Sequence, residues 1–236
     1  MVYAGILAGG YGWDQVKGDM PKQFMMIGSK PMIIHTVEQF VVNALIDKII
    51  VAAPENWIVY AKDMLKKYII TDKEIEVVMG GKNKNNSLNK VVNFIDEKYG
   101  IYQGDVLISH DAIRPFVTQR IIDENIETVR KFDSASTAVP TIDTIIKAGD
   151  DKQIEEITSE RIFYSEQTPQ TFKLDKLRDA YQNEKLAKKY VNAIKMFVEA
   201  GNNVQLVSGE YSNIKIVTQY DLEVANSILR DNSNDK

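Results

Sequence analysis

Four groups of residues, far apart in this 236-residue chain, are of types suited to handling phosphate. The first is Ala8-Gly9-Gly10, which follows an apolar run and leads to Pro21-Lys22-Gln23-Phe24. Glycines let backbone amides approach an anion closely, because a Cβ would otherwise intrude. A lysine directly after a proline is a poor core residue and a good phosphate ligand. A buried strand feeding such a loop is the layout for a nucleoside triphosphate, although plain turn geometry is a competing reading of the glycines. The spacing fits neither the P-loop, which needs Gly-Lys-Ser/Thr, nor the dinucleotide fingerprint, which needs another glycine after Gly12. Asp14, within the same loop, carries the wrong sign of charge for such a ligand.

The second group is Gly80-Gly81, followed by Lys82-Asn83-Lys84-Asn85-Asn86-Ser87. Asn86 or Ser87 would cap the helix that follows, and the same helix terminus attracts phosphate or base carbonyls. The third is Ser109-His110-Asp111-Ala112-Ile113-Arg114. One carboxylate plus phosphate oxygens suffices for Mg²⁺, which makes Asp111 a candidate metal ligand; an Asp111–Arg114 ion pair closing a turn is the alternative. His110 and His35 read as structural. The fourth comes late, with Gln167-Thr168-Pro169-Gln170 and Asn213-Ile214-Lys215-Ile216. The alternation around Lys215 predicts a strand, on which a lysine ordinarily faces solvent.

These groups need a frame that brings them together. Strands are predicted at Val2–Leu7, Lys48–Ala53, Ile75–Met79, Asp105–Ser109 and Ser134–Val139. Helical patterns lie between them at Met32–Val42, Glu55–Lys67, Ser87–Glu97 and Thr118–Lys131. This rhythm predicts an α/β fold, a doubly wound and mostly parallel sheet whose sites sit at the carboxyl ends of the strands. After Pro140 the rhythm breaks. Thr141–Lys147 and Gln153–Tyr164 read as two arms of a protruding β-hairpin around Gly149-Asp150-Asp151, either an edge hairpin or a dimerisation arm. Two helices (Asp175–Asn183 and Glu184–Ala200), a strand (Val204–Val207) and a last helix (Gln219–Arg230) complete the pattern, within one domain spanning 1–236.

Composition narrows the function. With 44% hydrophobic and 26% charged residues the chain reads as globular, and its net charge of −4 argues against nucleic acid as a partner. It has no cysteine, which excludes thiolate chemistry. No apolar run approaches the roughly 20 residues that span a bilayer. The first residues enter a strand directly, without a leader pattern, so a cytoplasmic location is expected.

Taken in order, Leu7-Ala8-Gly9-Gly10, Pro21-Lys22-Gln23-Phe24, Gly80-Gly81 with Ser87, His110-Asp111-Ala112-Ile113-Arg114-Pro115-Phe116, Gln167-Thr168-Pro169-Gln170 and Asn213-Ile214-Lys215 resemble nucleotidyltransferases of the glycosyltransferase-A-like fold. Within them, nearly the whole chain is similar to the family of 2-C-methyl-D-erythritol 4-phosphate and ribitol-5-phosphate cytidylyltransferases. Tyr3-Ala4-Gly5, Gln167 and Gly209-Glu210-Tyr211 look more like the ribitol-phosphate branch. The resemblance implies that a polyol phosphate, ribitol 5-phosphate first among candidates, attacks the α-phosphorus of CTP and releases pyrophosphate. It implies Lys22 on the α-phosphate, Asp111 on Mg²⁺, and Lys215 on the acceptor phosphate, with Arg114, Asp143 or Thr144, and Thr168 nearby. Leu7, Ala8, Gly9, Gly10, Gly80, Gly81, Lys84 and Ser87 are the implied CTP-binding residues. It also implies a homodimer joined through residues 141–165, and a role in precursors of teichoic acid or capsule.

Four positions depart from the family pattern. Asp14 and Glu160 stand where the family carries arginines, Lys84 replaces a third arginine, and Asn192 replaces an aspartate. Two unit charges about 4 Å apart interact by roughly 4 kcal/mol at an effective dielectric of 20, an error worth roughly a thousandfold in rate. Lys17 and Arg161 are the neighbouring cations that would compensate. Two alternatives to the ribitol reading stay open: the same chemistry on another polyol phosphate (glycerol phosphate or methylerythritol phosphate), and a catalytically weak nucleotide-binding homologue.

Overall fold

The computed structural model describes residues 1–9, 20–158 and 163–234. In chain order the strands are β1 (Val2–Leu7), β2 (Met26–Ile27), β3 (Lys30–Pro31), β4 (Lys48–Ala53), β5 (Glu74–Met79), β6 (Val106–Asp111), β7 (Ser134–Pro140), β8 (Ile145–Ala148), β9 (Ile154–Thr158), β10 (Tyr164–Lys173) and β11 (Val204–Ser208). The helices are α1 (Met32–Val41), α2 (Ile58–Tyr68), α3 (Lys84–Tyr99), α4 (Gln119–Lys131), α5 (Leu174–Gln182), α6 (Glu184–Lys189), α7 (Ala193–Glu199) and α8 (Gln219–Asn234).

Seven strands form one sheet in the order β11-β7-β10-β6-β1-β4-β5, parallel except for β10. The strands at its centre are apolar on both faces because helices cover both. Along β1, Val2, Ala4 and Ile6 face a core filled by α1, α2 and α4, while Tyr3 and Leu7 face one filled by α3, α5 and α7. β4 alternates the same way, with Ile49, Val51 and Ala53 on the first face and Ile50 and Ala52 on the second. This is the two-sided burial expected of a parallel α/β sheet. Among the described residues no helix is long and apolar enough to cross a membrane.

The topology decides where ligands go. Successive connections from β1 lead one way, to β4 and β5, whereas β6 lies on its other side. The strand order therefore reverses between β1 and β6, and the crevice beyond their carboxyl ends is the binding position of such sheets. Because β10 runs antiparallel between β6 and β7, its first residues come to that same edge. Gln170 pairs with Ser109, so residues 166–168 lie beyond it, beside His110 and Asp111. The β10–β7 register also shifts between Glu166 and Gln170, which takes the three intervening residues out of the ladder.

The structure corrects several sequence expectations. Gln153–Tyr164 is not all one arm: β9 covers Ile154–Thr158 among the described residues, and Tyr164 already pairs with Pro140 of β7 in the main sheet. The predicted helix Glu184–Ala200 is two helices, because the Asn192 side chain accepts from Lys195 N at 2.9 Å and starts α7 afresh. α3 begins at Lys84 rather than Ser87. Its cap is Asn83, whose Oδ1 accepts from Asn86 N at 2.8 Å. Lys215 lies on no strand: its segment is a loop whose Ile214 and Ile216 pack into a small cluster with α1 and α8, which explains the alternation. The hairpin β8–β9 stands apart from the main sheet as a separate pair.

Candidate active site

At the end of β1, Gly9 packs against the Gly80-Gly81 loop that follows β5. A Cβ on Gly9 would lie 2.6 Å from Ser87 Oγ and 3.1 Å from Gly80 Cα; one on Gly80 would lie 2.7 Å from Gly9 Cα. Close approach of two backbones, rather than turn geometry, is what requires these glycines. Ser87 closes the junction. Its Oγ accepts from Gly81 N at 2.9 Å and donates to Asn83 O at 3.0 Å. Gln23, which the sequence reading left without a role, is buried and donates from Nε2 to Ala8 O at 2.6 Å, tying the Lys22 turn to the end of β1.

Asp111 ends β6 and is 5% exposed. Three cations surround it: Lys84 Nζ at 3.0 Å, Arg114 Nε at 3.4 Å and Lys215 Nζ at 3.4 Å. Burial alone pushes its carboxyl up, but the Lys84, Lys215 and Arg114 charges more than reverse this and hold it well below the usual carboxylate range. The Asp111–Arg114 pair proposed as a turn closure exists, but it belongs to this larger cluster. Lys22 adds a fourth cation nearby, with Nζ on Val217 O at 2.6 Å. His110 is fully buried, bonded through Nε2 to Arg114 O at 3.0 Å and pushed down to about 4 by burial. It is neutral at pH 7, in accord with a structural role.

The late segments complete the floor. Asp111 N donates to Thr168 Oγ1 at 3.1 Å. Asn213 is fully buried; its Nδ2 donates to Thr168 O at 2.8 Å and Gln167 Oε1 at 3.2 Å, and its carbonyl accepts from Arg114 Nη1 at 2.8 Å. Gln167 Nε2 donates to Glu210 O at 2.9 Å, and a Cβ on Gly209 would collide with Gln167 Oε1. These bonds carry Lys215 back to Asp111 across more than a hundred residues of sequence.

Two cavities share this cluster. One of about 330 Å³ is lined by Leu7, Ala8, Gly9, Lys22, Lys84, Ser87, Asp111 and Lys215. The other, of about 240 Å³, is lined by Lys84, Asp111, Arg114, Glu166, Gln167, Thr168, Asn192 and Lys215. A wider groove of about 750 Å³ runs from Gly9 past Gly80, Gly81, Asn86 and Asn89. The structure thus brings together Leu7, Ala8, Gly9, Lys22, Gly80, Gly81, Lys84, Ser87, Asp111, Arg114, Thr168 and Lys215. Asp143 and Thr144, at the base of the hairpin, are exposed and line none of these cavities. Gly10, Asp14, Lys17, Glu160 and Arg161 lie outside the described residues.

The arrangement suits a polyanion. Four cations (Lys22, Lys84, Arg114 and Lys215) against two carboxylates (Asp111 and Glu166) leave an excess of positive charge, in the crevice where strand order reverses. Among the described residues no group of three or more His, Cys, Asp or Glu could hold a metal. Asp111 does fit Mg²⁺, a hard ion that takes one carboxylate and draws its remaining ligands from water and substrate phosphates.

Known proteins share the whole architecture. The IspD family model, described as 2-C-methyl-D-erythritol 4-phosphate cytidylyltransferase, matches residues 2–231. A 4-diphosphocytidyl-2C-methyl-D-erythritol synthase from Anaerococcus prevotii superposes with a TM-score of 0.82 at 27% identity, over 97% of this chain and 98% of that one. The 2-C-methyl-D-erythritol 4-phosphate cytidylyltransferase of Francisella tularensis gives 0.77 at 29% identity, over 96% and 98%. The Thermus thermophilus enzyme of that name, at 20% identity and 0.74 over 98% and 100%, shares the fold. With the family model matched over residues 2–231, this chain belongs to the IspD family of CTP-dependent cytidylyltransferases.

Proposed function

We propose that the chain condenses CTP with ribitol 5-phosphate, giving CDP-ribitol and pyrophosphate. The observation that carries this reading is the convergence of Lys84, Arg114 and Lys215 on Asp111, in the wall shared by two cavities, one of which Lys22 also lines. The cavity of about 330 Å³, lined by Gly9, Lys22 and Ser87, is assigned to the triphosphate of CTP; the one of about 240 Å³, lined by Thr168 and Arg114, to the acceptor. An acceptor phosphate oxygen bonds to the α-phosphorus as the bond from that phosphorus to the β-phosphate oxygen breaks, and pyrophosphate leaves. A phosphate monoester has a second pKa near about 6, so the nucleophile is already largely ionised at pH 7 and needs no general base. The protein's task is alignment and charge neutralisation. Lys22 is assigned to the α-phosphate and Lys215 to the acceptor phosphate. Asp111 would hold Mg²⁺, which when bound supplies further neutralisation of the phosphates.

Ribitol is favoured by the Gln167, Gly209 and Glu210 set, which resembles the ribitol-phosphate branch and forms one bonded unit with Asn213 beneath the acceptor cavity. Methylerythritol 4-phosphate is the second reading, favoured by the names of the full-length relatives. Pyrophosphate release with CTP, Mg²⁺ and a panel of ribitol 5-phosphate, glycerol 3-phosphate and methylerythritol 4-phosphate separates them. Highest kcat/KM on ribitol 5-phosphate is expected, and no release from it overturns the assignment.

The chain is further proposed to act as one domain, paired with a second copy through residues 141–165. Ile142, Ile146, Ile154 and Ile157 are more than half exposed on the arm. Such an apolar surface matches a subunit contact. Asp143 and Thr144 would then serve the site of the partner.

A further inference from the structure

The acceptor cavity contains a carboxylate that the reaction as derived does not use. Glu166 lies near the start of β10, at the carboxyl edge of the sheet, and lines the same 240 Å³ space as Arg114, Thr168 and Lys215. Two separate elements hold it. Asn192 Nδ2, at the start of α7, donates to Oε2 at 2.8 Å, and Ser136 Oγ, on β7, donates to Oε1 at 3.3 Å. Asn192 is in turn fixed, since its Oδ1 caps α7 through Lys195 N at 2.9 Å. Among the described residues no cation forms an ion pair with Glu166, whereas Asp111, the other carboxylate in the cavity wall, has three.

A braced carboxylate without an ion pair among the described residues, near Arg114 but not bonded to it, would be a poor neighbour for a phosphate, and the phosphate has better partners in Lys215 and Arg114. An ionised carboxylate accepts up to about four hydrogen bonds, and two are taken. What remains are acceptor positions for donors that bring no negative charge, which is what the hydroxyls of a polyol offer. A branching methyl group there would desolvate the carboxylate without replacing its hydrogen bonds.

We propose that Glu166, braced by Asn192 and Ser136, reads the hydroxyls of the acceptor and thereby selects an unbranched polyol phosphate. This rests on the assignment of the smaller cavity to the acceptor. The test is steady-state kinetics of Glu166→Gln, which keeps the side-chain size, with CTP and either ribitol 5-phosphate or the shorter glycerol 3-phosphate. Hydrogen bonds to a charged group are worth enough that the KM for ribitol 5-phosphate should rise about tenfold or more. The KM for CTP and the melting temperature should stay within error, and the KM for glycerol 3-phosphate, which ends before the far hydroxyls, should change less than about threefold. An unchanged KM for ribitol 5-phosphate, or an equal loss on both acceptors and CTP, overturns the proposal.

Failure of the ribitol assignment is separable. If the wild type prefers another polyol phosphate, the same comparison on that acceptor decides the role of Glu166. If the wild type turns over none, calorimetry with CTP and ribitol 5-phosphate decides it. Binding that weakens about tenfold in Glu166→Gln supports the proposal without turnover, and absence of polyol phosphate binding overturns both.

Discussion

Replacing Asp111 with asparagine removes one negative charge and changes almost no volume. It leaves Lys84, Arg114 and Lys215, each within 3.4 Å of the lost carboxylate, facing one another without it. Breaking a fully buried ion pair costs about 3–5 kcal/mol. Asp111 is buried, but the Lys84 and Lys215 side chains are 38% and 43% exposed and partly screened by water. A cost discounted below that range, about 2–3 kcal/mol, is therefore expected for Asp111→Asn at pH 7. For a chain of this length that is a fall in Tm of roughly 4–12 °C. The pH dependence is a sharper check. Asp111 titrates lower in the folded protein than the value near about 3.9 it takes unfolded, so its stabilisation is fully present above that value and is lost as pH falls below it. Asparagine has no such term. The stability gap between the two proteins should thus be constant from about pH 5 to 8 and shrink below about pH 4, by up to about 1.4 kcal/mol per pH unit. Urea melts across that range measure it. A mutant as stable as the wild type at pH 7, or two stability curves that stay parallel into acid, would refute the idea that this carboxylate anchors the cation cluster.

Other expectations test separate parts of the site. Gly9→Ala puts a Cβ against Ser87 Oγ and Gly80, so it should destabilise by about 1–3 kcal/mol and raise the KM for CTP; a normal KM in a folded mutant would detach these loops from the nucleotide. Placing aspartates at both members of the cross-strand pair Ile146 and Ile157 should yield a monomer by light scattering, while an unchanged mass would discount the arm as the subunit contact. Asp14→Arg restores the family's charge and should raise kcat about tenfold or more, given what an opposed charge is worth at close range. Equal turnover in mutant and wild type would show that this position no longer governs the rate.

The parts of the fold legible in the sequence were those set by apolar periodicity. β1 and β4 have the boundaries their apolar runs predict, and Gly9 and the Gly80-Gly81 pair sit at the strand ends where the α/β rhythm put them. What escaped was β10. It contains Pro169 and a register shift, and its inward residues Gln167, Thr168, Gln170 and Thr171 are polar yet buried. Periodicity analysis looks for apolar residues on the buried face, so a strand that turns polar groups inward reads as loop. The reason for this burial is positional: an antiparallel strand beside β6 delivers its beginning to the carboxyl edge, where a ligand needs hydrogen bonds rather than apolar packing. The same logic hid Glu166, which stands out only once β10 is known to begin at the acceptor cavity, and it mis-assigned Lys215 to a strand whose isoleucines in fact anchor a loop.

That placement also bears on the charge reversals at Asp14 and Glu160, each of which, uncompensated, would be worth roughly a thousandfold in rate. Four cations reach the cavities from outside those two segments. Lys22 comes from the turn beside β1, Lys84 from the first turn of α3, Arg114 from the loop after β6, and Lys215 from the loop before α8. Each is held by the main sheet or a helix packed on it, through bonds to Asp111, Asn213 O and Val217 O. Binding of the anionic substrates therefore has a source of positive charge in segments other than those of the two reversals. Any deficit caused by Asp14 and Glu160 should appear in kcat, through the charge that develops as pyrophosphate leaves, more than in the KM for CTP. Restoring both arginines and finding kcat unchanged with a lower KM would place those residues in ground-state binding and overturn this division of labour.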